Sequence, residues 1–211
     1  MKKIFLILSC AAVMSGPVCA GGGNVKVTDK IMSRSEAKLR AVTRELWGAR
    51  AVCQREYIIS AMNGSEDAQE ARKRFLDNAG KLGDGIQPYY GLLAGWMLSG
   101  LLKKDVSLTD EIIKAVKSGD QKEIEWVKKK WYANALAVAG FFYLARNQTM
   151  KELTDILYKH LDITWGEIQA ILEKDTSAAA AYFEEDRVHM LMLSVLLNDG
   201  IVRQFPEKFE D

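Results

Sequence analysis

Histidine, cysteine and proline are the scarce residues of this chain, with two, three and three in 211 positions. Three cysteines cannot staple a disulfide-dense mini-scaffold, and the composition is far from a collagen-like fibre. Neither charge sign is in excess. There are 29 Lys+Arg against 28 Asp+Glu, a formal charge of +1, so nothing global points to nucleic acid or another polyanion. The usual catalytic strings are missing as well: no phosphate-binding P-loop, no dinucleotide glycine fingerprint, no H-E-x-x-H and no G-x-S-x-G. What is there is apolar material, 48% of the residues, enough for a core in a single domain and too much for a disordered chain.

The first twenty residues read as a secretory signal peptide. Lys2 and Lys3 form a positive start, Ile4 to Met14 an apolar stretch, and Val18-Cys19-Ala20 a small-residue end with cleavage expected after Ala20. Gly16-Pro17 and Gly21-Gly22-Gly23 would twice interrupt a buried helix here. Neither Cys10 nor Cys19 sits in a good lipid-attachment box, so a lipoprotein is the less favoured form. Export removes two lysines and two cysteines. Lys+Arg falls from 29 to 27 against 28 acids, the charge becomes −1, and Cys53 is left without an internal disulfide partner. Residues 21–30 are expected to be a disordered lead-in, 31–211 the folded domain, and the destination the bacterial periplasm or the medium. No later run reaches eighteen apolar residues, so no transmembrane helix is expected in the mature chain.

The folded part reads as all-α, one bundle of six or seven helices. Leu39, Val42, Leu46, Ala49 and Cys53 recur at 3-4-3-4 spacing and predict a helix from Ala37 to Met62, stopped by Asn63-Gly64, with Ser65 capping the next. Gly80, Gly83, Gly85 and Pro88 predict a loop that separates a helix carrying Ala71 and Phe75 from another running from Tyr89 to Lys117, itself weak at Asp105-Val106-Ser107. Asp120 with Glu123, Thr149 with Glu152 and Thr164 with Glu167 have the capping-box spacing. A last helix is expected over Thr176–Leu197, ended by Asn198-Asp199-Gly200.

Few residues offer chemistry. Asp186 and His189 stand at the i, i+3 spacing of bundle metal ligands, and Glu185 is four before the histidine, but no acid lies three or four residues before His160 to supply a second half-site. Cys53 lies on the apolar seam, where a thiol acts as a small hydrophobe rather than a nucleophile. Tyr89–Leu102 has no charge, and Gly91, Gly95 and Ser99 repeat at four-residue steps. This ridge allows close helix approach, in a central core helix more readily than in a membrane. Ala133–Ala145 and Met190–Leu197 are similarly apolar, which implies a thick core or one enclosing an apolar ligand. The basic and aromatic run Trp126–Tyr132 suits a lipid headgroup surface or a nucleic acid strand, or simply a solvated lysine face over core residues Val127 and Trp131, and Glu123 and Glu125 nearby blunt any basic patch. Binding residues are expected first at Gln87, Tyr89 and Tyr90, in the predicted loop, and second at Trp131, Tyr132 and Asn134, where a buried Asn needs a partner.

Gln87-Pro88-Tyr89-Tyr90-Gly91, Trp131-Tyr132-Ala133-Asn134-Ala135, His160-Leu161-Asp162-Ile163-Thr164 and Asp199-Gly200-Ile201-Val202-Arg203-Gln204-Phe205-Pro206 occur in that order. In them the chain resembles a family of small exported all-α bacterial proteins of unassigned function. The resemblance implies export and a helical fold, and no reaction. Relatives carry acidic or His residues where this chain has Gly48, Arg50 and Leu136, so a site built on those positions is expected to be lost here. The expectation is a non-enzymatic exported bundle that binds a protein partner or an apolar ligand, without cofactor or nucleic acid. A lipid-interacting surface protein and a metal-binding bundle (Glu185, Asp186, His189) are the alternatives.

Overall fold

The computed structural model describes residues 32–145 and 148–210. The expected signal peptide and residues 21–30 lie outside the described residues. Five α-helices follow one another: α1 (Arg34–Asn63), α2 (Ala68–Ser118), α3 (Gln121–Leu144), α4 (Met150–Leu172) and α5 (Thr176–Gln204), then a 3-10 turn over Pro206–Phe209. There is no strand among the described residues.

Local chemistry sets most of the ends. The Ser33 hydroxyl accepts the Glu36 N–H at 3.1 Å to start α1, and Gly64, in the left-handed region at φ 67°, closes it. Asp120 caps α3, and Thr149 with Glu152 forms a complete capping box on α4. The cap of α2 is Asp67 rather than Ser65, and it makes no side-chain bond.

Helices number five instead of six or seven because the expected break before Thr164 and the weak point at Asp105-Val106-Ser107 are absent, and the break expected over Gly80–Pro88 is displaced to Gly91. No loop opens between Gly80 and Pro88: α2 runs through all four residues and is non-helical only at Gly91, at φ 84°, ψ 168°, a conformation that essentially only glycine adopts. There the helix folds back on itself. Gly83 and Gly95 would stand about 18 Å apart along a straight helix, yet a Cβ on Gly83 would come within 2.4 Å of the Gly95 carbonyl and 2.8 Å of Ser99. The small-residue ridge of Gly95 and Ser99 thus serves close approach between two arms of one helix. The weak point at Asp105-Val106-Ser107 is also continuous, since Asp105 is held by tertiary bonds. Thr164 and Glu167 lie inside α4 and cap nothing. Asn198-Asp199-Gly200 stays helical, with Asn198 accepting from the Thr43 hydroxyl at 2.7 Å and Asp199 from Arg40 at 2.7 Å.

Each helix packs on its neighbours, α1 on α2, α2 on α3, α3 on α4, α4 on α5 and α5 back on α1, so the five close a ring around a core of Ile58, Phe75, Leu98, Ile112, Trp131, Leu153, Leu161 and Leu193. Each such side chain contributes about 1.5–3 kcal/mol by leaving water. No helix of the described residues is long and apolar enough to cross a membrane.

The face of α1 that enters the core is not the expected seam. Of that seam only Leu39 is buried, Val42 is exposed and Leu46, Ala49 and Cys53 are half-buried, while Thr43, Trp47, Arg50, Ala51, Gln54 and Ile58 point inward. Polar residues occupy half of the true stripe, so hydrophobic periodicity finds its edge instead of its centre.

Candidate functional site

Charged groups lie at the middle of the ring. Arg50, only 2% exposed, pairs with Asp105 across α1 and α2 at 2.5 Å and lays its guanidinium over the Phe75 ring at 4.6 Å. The other Asp105 oxygen accepts the Trp131 indole N–H at 2.8 Å. Between α4 and α5, His160 Nδ1 donates to Asp186 at 2.6 Å. Gln54 donates to the Thr164 hydroxyl at 2.7 Å, and Thr164 donates on to the His160 carbonyl at 2.9 Å. Glu167 binds Arg55, which also donates to the Ala179 carbonyl.

Electrostatics tie these groups together. Burial opposes a charge on His160, but the Asp186 carboxylate outweighs it and holds the imidazole above its ordinary value. Burial pushes Glu167 up to about 7, against the pull of Arg55 and with the help of Asp186. Two arginines face three carboxylates, so the group is neutral when one proton is held on either His160 or Glu167. Arg50, Asp105, Asn134 and His160 line a cavity of about 20 Å³. That is room for one water molecule, and Arg50 Nη1 and Asn134 Oδ1, which have no protein partner, are the atoms a water would satisfy. An organic substrate needs a cleft more than tenfold larger.

The expected metal residues are dispersed. Asp186 turns to His160 rather than to His189, whose Nε2 donates to the Ile156 carbonyl at 2.8 Å, and Glu185 pairs with Lys159 at 2.7 Å. Among the described residues no group of three or more His, Cys, Asp or Glu side chains is placed to hold a metal ion. Cys53 is half-buried, and burial raises its thiol, which disfavours the reactive thiolate.

The two expected binding groups part company too. Tyr89 stacks on Phe209 at 5.9 Å, and Tyr90 sets its ring edge-on to Phe205 and its hydroxyl between Ala145 and Gln204. Lys208 reaches the Pro88 carbonyl, and Gln87 bonds Asp84 on its own helix. The tyrosines fasten the C-terminal turn to the reversal of α2. Trp131 and Asn134 belong to the buried interior, and Tyr132 faces Asp162 and Tyr158 on α4.

Sequence reasoning missed two things. One is the interior network: Arg50 was set aside as a non-ligand position and is instead its centre. The other is a surface. Past Gly91, α2 presents Leu92, Leu93, Trp96 and Met97 to solvent, Leu93 at 69% and Trp96 at 61% exposure, and the antiparallel end of α3 adds Leu136, Tyr143 and Leu144, the last at 79%. These residues come from two runs, 89–102 and 131–145, that hold no charged residue. Large contiguous apolar patches are uncommon on monomers and mark interaction sites.

Comparison of the chain with family models, curated proteins and solved structures returns no match.

Proposed function

We propose that the protein is a non-enzymatic, exported helical bundle of the bacterial envelope or its surroundings, and that it works by binding an apolar partner on the α2–α3 face. The observation that carries this reading is the exposure of Leu92, Leu93, Trp96, Met97, Tyr143 and Leu144 beside one another on two uncharged helical runs. Residues of this kind cost little to leave exposed one at a time, but a cluster is where a partner gains most from desolvation. The interior supports the same reading from the other side. Its titratable groups are paired with one another around a space of one water, a structural arrangement rather than a substrate cleft.

The probe is a fluorescent apolar dye, anilinonaphthalene sulfonate, titrated onto the folded protein. Saturable binding is expected, and Leu93→Glu with Trp96→Glu and Leu144→Glu should abolish it without changing the helical circular dichroism or the sharpness of melting. Dye binding left intact in that variant would refute the proposal.

A further inference from the structure

We infer that the occupant of the α2–α3 face is an anionic lipid surface, an inference that rests on the binding reading above and names its partner. The outward stripe of α2 runs Leu93, Trp96, Met97, Gly100 and then Lys103 and Lys104, at the three- and four-residue steps of one helical face. On α3 the stripe of Leu144, Gly140 and Leu136 leads in the same sense to Lys129. Apolar residues thus give way to cations on both helices, at the same end of the face. From Met97 to Lys103 the rise is about 9 Å. A lysine stem reaches back over part of it, so the cations and the apolar side chains can meet at one headgroup boundary.

The charge balance around the face favours anions. Lys103, Lys104 and Lys129 have no side-chain partner among the described residues. Most neighbouring acids are engaged, Glu111 by Lys130, Asp155 by Lys151, and Glu152 in the capping box of α4, while the exposed Glu125, one turn before Lys129 on α3, offsets one of the three cations. Trp96 and Tyr143 add the amphipathic rings that settle at a headgroup boundary. A second copy fits less well. Self-association through a two-fold axis would bring six unpaired lysines to the rim of one interface with only the two Glu125 carboxylates to meet them.

Flotation and sedimentation with vesicles of phosphatidylcholine alone, and of phosphatidylcholine with one-third phosphatidylglycerol, test this on the processed protein purified from cells that export it. The protein should bind the phosphatidylglycerol vesicles, and release at 0.5 M salt. Lys103→Gln with Lys104→Gln should weaken binding about fivefold per charge removed, and Leu93→Glu with Trp96→Glu should abolish it at unchanged helicity. Three results would overturn the lipid assignment: no vesicle binding while the dye still binds the face, equal binding to both vesicle types, or a dimer in sedimentation velocity that Trp96→Glu dissociates. The first and third would leave the face a binding surface with another occupant. Loss of both dye and vesicle binding from the unaltered protein would remove the binding reading itself.

Discussion

Arg50 and Leu93 have exchanged the places that their chemistry would assign them. The arginine is sealed in the core with Asp105, Trp131 and Phe75, while the leucine stands 69% exposed beside Trp96. Burying a charge is tolerated only where partners are built around it, and the interior supplies them, so the polar centre is a locked structural element. No such compensation exists at the α2–α3 face, where nothing among the described residues covers the exposed side chains. What is expensive and satisfied reads as architecture. What is exposed and unsatisfied reads as function.

The largest effect should come from breaking the interior. Asp105→Ala strands the Arg50 guanidinium and the Trp131 indole N–H and is expected to cost about 3–5 kcal/mol in urea unfolding. Replacing both partners, Arg50→Met with Asp105→Leu, should recover most of that loss, because the penalty lies in the orphaned charge. A small cost for Asp105→Ala would mean the pair is not the lock described.

Next in size is a pH effect. Folding raises Glu167 from its ordinary 4.5 to about 7, so the folded state holds that proton more tightly. Its contribution is therefore lost as pH rises between these values, by about 3 kcal/mol. His160, also raised, acts in the same direction: its contribution is complete below its ordinary 6.5 and fades as pH climbs through the raised value. Urea midpoints of wild type and Glu167→Gln should converge toward one pH profile below pH 4.5 and separate up to pH 7. Parallel profiles would contradict the coupling.

Gly91→Ala should cost about 1–3 kcal/mol. The cost is torsional, since nothing lies within 4 Å of where the Cβ would sit. Calorimetric melting measures it, and a neutral result would show that the reversal does not depend on the glycine. The smallest effect belongs to the face: Leu93→Glu with Trp96→Glu should shift stability by no more than about 0.5 kcal/mol per residue, even though it is expected to remove binding. A large destabilisation would mean these side chains are structural after all, and the contrast between the two regions would collapse.

Fold class was legible in the sequence because caps are local. Asp120 and Thr149 announce helix starts within four residues of themselves, and Gly64 an end, whereas the Ser33 cap went unread. The helix count was not. Gly80, Gly83 and Gly85 look like a loop, yet Gly83 lets two arms of α2 meet, Gly85 faces Leu46 of α1, Gly80 faces open space, and only Gly91 turns the chain. The candidate site was less legible still. Arg50, Asp105, His160, Asp186 and Glu167 meet only through tertiary packing, and a reading that sends charges to solvent cannot place them inside. The Asp186-x-x-His189 spacing was real but empty of meaning, because each residue found a partner on α4. The uncharged runs 89–102 and 131–145 did carry a signal. They were read as core on both sides, whereas one side of each is the face.

Native mass spectrometry of the protein isolated from the envelope of its own cells, beside the Leu93→Glu, Trp96→Glu, Leu144→Glu variant treated identically, tests the central claim most directly. The account predicts a non-covalently bound mass on the unaltered protein that the variant lacks, with both folded. Equal occupancy of the two, bound or bare, would contradict it.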